Sequence, residues 1–585
     1  MGECVLTFKS SIVFVIMILF LSSCNSNKQA FRNDKIIFEK GIHEYDNKTV
    51  YLRANNPDKV PKKAINRKDT LVIGIPAPSE VFNPVFAVSA NDVDINDSMW
   101  SPILEIDGNG KINDGIAYFP EIDYENNIYK FTLKDNLKWQ DGKPLTSYDI
   151  EFTFKVLMDK TYTGTFERDN FNVYGWKNYR DGITENIEGF KIIDDKRFEI
   201  KFESLNAKKN YYFERIKPIA LHIYGVNYSQ GKANELEKYN KTPFGNGAYK
   251  FVEYIDGEEL RLVANEFYYK GKPKIKNLIF RIVNHGNQLE LIKNGDIDII
   301  RKSVLAVEDN IKIINNMEFV EAVITDYLGY GYIAINHKEP IMQDKNLRKA
   351  LVYGLDRESI VNASFGRKFG NVLDIPINRN SPFYPKNEDF YKYSYDPEQA
   401  KKLLEDSGWR VGKDGIREKD NKKLVLKFLI NTSNKESDIL VPIMIDNYKD
   451  IGIELVVEQM EGKTLLQKQN DAKEGKFSYH LAFLFTPFAN SDPDSSSRFS
   501  TNGPSNRISY SNYKVDKLLN DALNEFDESK RIDLYGELYK ELSDDLPYIF
   551  LYEKKNLDVY SVRVKGMENI SLFRWFNKDL ERLHF

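Results

Sequence analysis

The chain has 585 residues, 42% of them hydrophobic and 29% charged, which rules out wholesale disorder, collagen-like repeats and a disulfide scaffold. Lys+Arg number 83 against Asp+Glu 87, and a formal charge of −4 argues against a nucleic-acid surface spread over the whole protein. Its two cysteines, Cys4 and Cys24, stand at the very start, so the remainder has no thiolate for an intrachain disulfide or a metal site.

Taken in order, the first predicted element is an address. Residues 12–21 read IVFVIMILFL after Lys9. Ten residues give ~15 Å of helix, about half a bilayer core, as in a signal-peptide h-region and not a membrane span. The run ends in Leu21-Ser22-Ser23-Cys24, which resembles the lipobox of bacterial lipoproteins. That implies cleavage before Cys24 and acylation of it, leaving lipid as the membrane anchor. Residues 24–67 are polar and read as a tether with at most local structure. Ordered patterning then begins with a strand from Thr70 (TLVIGI) and a turn at Asn83-Pro84. A strand over 129–133, a turn at 141–144 and a helix capped by Thr146, with Ile150, Phe154 and Leu157 on one face, come next. Strands are predicted within 189–203 and over 247–255, 259–265 and 277–283, then a short helix, Gly turn and strand across 289–300.

The second half is richer in helices. Leu347, Ala350, Leu351, Gly354 and Val361 recur at helical spacing. Asp396-Pro397-Glu398-Gln399 predicts a helix start, with Asp as N-cap, Pro at N1 and Gln at N3 closing a capping box, and the helix stops at Gly408. Strand 424–430, an amphipathic stretch at 438–450 and strand 453–457 follow. A stripe from Val515 to Phe526 is helical, and Ser529 opens a last helix that ends before Pro547. Strands and helices alternate without a clean repeat, so the class is α/β with two or more lobes; ~150 residues per domain predicts roughly four units or fewer large ones.

The search for chemistry is negative. No two of the six histidines lie within five residues of each other, and no HExxH or G-x-S-x-G pattern occurs. Residues 408–414 (GWRVGKD) lack the spacing and the Ser/Thr of a phosphate loop. The stretch from Glu105 to Ile112 resembles part of a calcium loop, but its twelfth position is Ile116 in place of a bidentate Glu, so a hairpin turn is expected. No catalytic residue, metal site or cofactor is assigned.

Eight blocks stand in order along the chain: YKFTLKDNLKWQDGKPLTSYDIEFTF (129–154), TPFGNGAYKF (242–251), NEFYYKGKPKIKNLIFRIV (265–283), LIKNGDIDII (291–300), LRKALVYGLDRESIV (347–361), YDPEQAKKLLEDSGW (395–409), IGIELVVEQM (451–460) and NYKVDKLLNDAL (512–523). Together they resemble family 5 of the bacterial extracellular solute-binding proteins, the peptide-binding receptors of ABC importers. The resemblance spans roughly 70–585. It implies a two-lobed, periplasmic-binding-protein-like fold of type II, in its large three-domain variant, with a hinge. Expected boundaries are a signal peptide over 1–23, a lipidated tether over 24–67 and lobe one over 68–325 with a subdomain inserted at about 95–195. Lobe two then takes 328–550, and 551–585 returns to lobe one, with the chain crossing near 325–329 and 546–556.

The resemblance also implies ligand contacts. Asn246, between Gly245 and Gly247, corresponds to an Asn near the ligand backbone, where an amide can both donate and accept; the other reading is a turn Asn tolerating positive φ. Asn83 is a second candidate. The stretch FLFTPFANSDPDSSSRF (483–499) resembles the family's ligand-facing segment and brings in Phe485, Phe488, Asn490 and Asp492. One departure stands out: Ala489 occupies the place of the Asp that grips the α-ammonium in oligopeptide-binding relatives. Asp492 or Asp494 substitutes, the alignment slips, or the ligand lacks a free amino terminus. The reading is a non-enzymatic, lipid-anchored, monomeric receptor exported to the cell envelope that hands a small solute, first of all an oligopeptide, to an ABC permease. Alternatives are an oligosaccharide or metal-chelate cargo, an envelope sensor or scaffold, and a secreted hydrolase.

Overall fold

Apolar β-branched runs and Asx-capped amphipathic helices build the molecule in three places. The computed structural model describes residues 42–45, 50–226, 228–284, 286–366, 368–432, 436–487, 492–567 and 579–585. The strand Thr70–Ile75, buried at five of six positions, lies parallel to Asn277–Ile282 on one side and to Ile299–Leu305 on the other. Continuous apolar sequence suits such a doubly covered strand. Glu259–Ala264 pairs antiparallel with Asn277–Ile282, and Tyr249–Ile255 pairs antiparallel with Glu259–Ala264 beyond it.

Two long strands carry that sheet onward. Val320–Ile335 has 16 residues and Tyr548–Ser561 has 14. They pair antiparallel over most of their length, with a register shift between Asp326 and Tyr330. Leu481–Pro487 pairs along the far half of Val320–Ile335, followed by the parallel strands Val425–Asn431 and Glu454–Met460. The result is one thirteen-stranded sheet among the described residues.

Each end of this sheet has its own core. The first core gathers Leu71, Ile73, Leu278, Phe280, Ile299, Val323 and Tyr560 with the C-terminal Leu580 and Leu583. The third gathers Tyr330, Tyr332, Leu429, Ala482, Phe550 and the helices Tyr513–Asn524 and Glu528–Asp545. Between the first core's strands in sequence, residues from Val85 to Leu236 form another core of their own, a wider span than the expected 95–195. It surrounds a four-stranded sheet and is rich in rings: Phe198 stacks on Phe131 at 5.0 Å and on Phe190 at 5.4 Å.

Local signals explain many of the elements. Thr146 and Asp149 form the capping box of Ser147–Met158. Asp396 accepts from the Gln399 amide at 2.9 Å, and Gly408 terminates that helical segment at φ +87°. Leu104–Ile106 and Ile112–Asp114 pair antiparallel around Asp107–Gly110, the hairpin expected there. Four expectations need correcting. Val50–Arg53, assigned to the tether, is a strand on Val320–Ile335, because the apolar pair Tyr51 and Leu52 has a core to enter. The 347–361 stripe is two helices, Lys345–Tyr353 and Arg357–Phe365, since Asp356 caps a second start. Phe526 lies beyond the end of Tyr513–Asn524, and the last helix is capped by Asp527, two residues before Ser529.

Candidate functional site

The site is built where the long strands pass from the first core to the third. Side chains alternate between the faces of a strand, so Glu553 and Lys555 share one face and Lys554 takes the other. On the Lys554 face its ammonium sits 5.1 Å from the Phe485 ring centroid, 5.5 Å from Tyr327 and 5.9 Å from Phe365, and pairs with Glu436 at 3.0 Å. Tyr327 meets Phe485 edge-on at 5.4 Å. Two glycines make this possible. A Cβ on Gly329 would stand 2.7 Å from the Phe485 ring, and one on Gly331 would stand 2.4 Å from the Tyr552 ring.

The opposite face is polar and closed. Glu553 is 2% exposed and accepts from Asn378 at 3.0 Å and Asn371 at 3.3 Å, with Arg379 at 3.8 Å. Asp326 beside it is paired with Lys555 and accepts from Asn380. Burial, then the neighbouring Asp326 carboxylate, pushes the Glu553 carboxyl up to about 7.

Leu481–Pro487 runs along this site. All seven residues pair with Val320–Ile335, but only Leu481 and Ala482 pair with Val425–Asn431. From Phe483 onward, no strand among the described residues covers its other edge. Such an edge offers main-chain donors and acceptors to an extended ligand. Leu484 and Phe485 are half-buried along it.

The described residues resume at Asp492 and are heavily tied. Asp492 is 3% exposed and takes a two-pronged contact from Arg531, at 2.8 and 3.1 Å. Burial works against the Arg531 guanidinium, yet Asp492 outweighs it and holds it above the usual range. Asp494 pairs with Lys208 of the inserted core at 3.0 Å and accepts from the Ser496 amide at 3.0 Å. Burial raises the Asp494 carboxyl, but Lys208 and Ser496 hold it below its ordinary value.

The residues singled out by sequence fare differently. Phe485 lies beside Tyr327 and Lys554 in the candidate site. Asn246 is 3% exposed, with its side-chain oxygen accepting from the Ser101 amide at 3.1 Å, and its φ is not positive. The flanking glycines are needed by close approach: a Cβ on Gly245 would stand 2.0 Å from the Met99 carbonyl oxygen. Asn83 is fully buried; its side-chain oxygen accepts from the Val85 amide and its amide nitrogen donates to the Leu236 carbonyl. Asp492 is committed to Arg531. Phe488, Ala489 and Asn490, like Cys24, lie outside the described residues. Sequence reading missed Tyr327, Lys554, Glu553 and Lys208. The glycines in LGYGYIAI (328–335) were the available signal, since glycine inside a strand marks close approach.

No group of three or more His, Cys, Asp or Glu among the described residues could hold a metal ion, and no helix there is long and apolar enough to cross a membrane. His337 is buried and its imidazole is pushed down to about 4, first by burial and then by Arg348. His480 accepts from the Lys427 amide, and His222 meets Asp141 at 2.9 Å.

Comparison with known proteins places this geometry. The chain is 27% identical to the oligopeptide-binding protein AppA of Bacillus subtilis (strain 168) over 555 residues, covering 93% of this chain and 92% of that protein. The solved structure of AppA from Bacillus subtilis in complex with a nonapeptide is similar with a TM-score of 0.70 at 25% identity, over 88% of this chain and 98% of that one. The ABC transporter substrate binding protein CtaP from Listeria monocytogenes gives 0.75 at 24% identity, over 88% and 99%. These likenesses bear out the α/β, periplasmic-binding-protein-like fold of type II. The sequence model of the bacterial extracellular solute-binding proteins, family 5 Middle, matches residues 111–506, and the chain belongs to that family.

Proposed function

We propose that this protein is the solute receptor of an ABC importer, that it binds an oligopeptide without transforming it, and that it passes the peptide to a permease. The observation that carries the reading is the open edge of Leu481–Pro487 beside Phe485 and Tyr327. A peptide lying there in extended form would pair through its main chain while the rings take alternate side chains. The oligopeptides named for AppA agree with this. The lobes are taken to meet near 325–329 and 546–556, with Cys24 lipidated and the mature protein held at the cell envelope as a monomer.

Native mass spectrometry of gently purified protein should show a bound peptide mass, and calorimetry with that peptide should give one site. N-methylation of alternate peptide amides should weaken binding in an every-second-residue pattern. Because Ala489 replaces the ammonium-gripping Asp, N-acetylation is expected to change Kd by less than about threefold, against roughly tenfold or more where a charged group is lost from a hydrogen bond. Retention of a saccharide or a metal chelate with no affinity for peptides would refute the reading.

A further inference from the structure

The contact between the inserted core and the third core has a charge pattern of its own. Lys208 stands at the N-cap of the helix Lys209–Arg215. Its ammonium lies 3.0 Å from Asp494 and 3.6 Å from Glu167, with side chains 19%, 7% and 41% exposed respectively. Asp494 belongs to the segment that resumes at Asp492, beyond Leu481–Pro487. Its backbone amide donates to Asp492 at 2.9 Å, and Asp492 is gripped by Arg531 on the helix Glu528–Asp545. That segment is therefore fixed to the third core on one side and to Lys208 on the other.

Two further contacts join the same pair of cores. The Ala207 amide donates to the Leu523 carbonyl at 2.9 Å, and Tyr124 meets Phe526 edge-on at 5.0 Å. Neither is ionic. The ionic part has three carboxylates, Glu167, Asp492 and Asp494; Lys208 and Arg531 pair with them directly, and Arg215 acts on Glu167 from farther off. Arg531 is used up on Asp492. Without Lys208, Glu167 and Asp494 would lose the cation that both of them pair with. Asp494 is buried, so its uncompensated charge costs more than it would in water, while the exposed side of Glu167 is screened. The loss would fall on the gap between the cores, since each core keeps its own packing.

We propose that Lys208 is a positioning residue for ligand capture: its ammonium, paired with both Glu167 and Asp494, holds the Asp492–Asp494 segment against the inserted core and so keeps the open edge of Leu481–Pro487 placed for binding. The proposal rests on reading that edge as the peptide site. Lys208 acts through that segment and needs no contact with the peptide. Glu167 sets the geometry by demanding a cation there, and Tyr212, which donates to Glu167 at 2.9 Å, steers its carboxylate.

The test uses the full chain with Lys208→Gln, Lys208→Arg and the double variant Lys208→Gln/Glu167→Gln. One arm measures binding and dissociation of the peptide found in the native protein. The other needs no peptide: spin labels at Tyr148→Cys and Tyr513→Cys, exposed positions on the inserted and third cores, report the distance between them in a Cys4→Ser/Cys24→Ser background. Lys208→Gln should bind about tenfold more weakly, through faster dissociation, and should broaden the label distance toward longer values. Its unfolding midpoint should stay within about 2 °C, Lys208→Arg should restore both readouts, and removing Glu167 should recover part of the loss. Unchanged dissociation together with an unchanged label distance in Lys208→Gln overturns the proposal. So does a fallen unfolding midpoint with an unmoved label distance, which would make Lys208 an ordinary packing residue. If the unmutated protein binds no peptide, the peptide reading falls, and the label arm still decides whether Lys208 holds the two cores together.

Discussion

Glu553 shows how far a single residue's surroundings can move its chemistry. Its carboxyl is fully enclosed, two asparagines donate to it, and Asp326 shares its neighbourhood. With the folded value pushed up to about 7 from an ordinary 4.5, the folded state holds a proton that the unfolded chain releases between those values. The contribution to stability is therefore complete below about pH 4.5 and is lost as pH rises through 7, a swing on the order of 3 kcal/mol. Thermal unfolding measured from pH 5 to 8 should show stability falling with pH, and Glu553→Gln should flatten that slope. An unchanged slope in the variant would mean that another group titrates there. Lys555 and Arg379 oppose the shift, which makes the coupled set the proper unit of description.

At the scale of the element, the strand Val320–Ile335 is shaped by what it omits. Gly331 leaves room for the Tyr552 ring, and Gly329 for Phe485. Gly331→Ala would gain about 0.4–1 kcal/mol by stiffening the unfolded chain. Forcing a methyl into a ring 2.4 Å away costs about 1–3 kcal/mol in displaced side chains, so overpacking should win. A net loss of up to about 2.6 kcal/mol is expected in the unfolding free energy, read as a lowered urea midpoint, together with weaker peptide binding. Gly286→Ala, where a Cβ would meet nothing within 4 Å, is the matched control and should show the unfolded-chain gain alone, about 0.4–1 kcal/mol. Equal effects at the two sites would show that close approach is not the reason for Gly331.

At the scale of the whole molecule, the proposed lipid attachment and the proposed capture of peptide fall on separate stretches of sequence. The apolar run 12–21 and Cys24 precede the first described strand by many residues. Cys24→Ser should therefore release a folded protein from membranes with its peptide affinity intact, as checked by fractionation after a salt wash and by calorimetry. A variant that stays with the membrane would end the lipid-anchor proposal. Loss of affinity would show that the anchor and the groove are coupled.

Much of the framework was legible in the sequence because it rests on local chemistry. The Asp396 cap, the Thr146–Asp149 box and the Val515–Ala522 stripe each depend on residues within one or two turns of each other. The ordered family blocks then implied the fold, which the comparisons bear out. What the sequence could not supply were pairings over long separations. Lys208 meets Asp494 across 286 positions, and Arg67 meets Asp298 across 231. Nothing in the neighbours of Lys208 distinguishes it from Lys209, whose ammonium instead donates to the Asn170 and Phe171 carbonyls and the Asn172 side chain. Likewise, Asn246 and Asn83 read as ligand amides by analogy, and only folding shows their oxygens occupied by backbone amides. Sequence by itself determined most of the elements, several of their caps and the family resemblance, since propensity, capping and periodicity act over a few residues; the strand Val50–Arg53 and the Asp527 cap escaped it. Tertiary structure alone decided which charges face each other and which strand edge stays open, because both depend on distances that the chain sets only when its ends of the sheet are brought together.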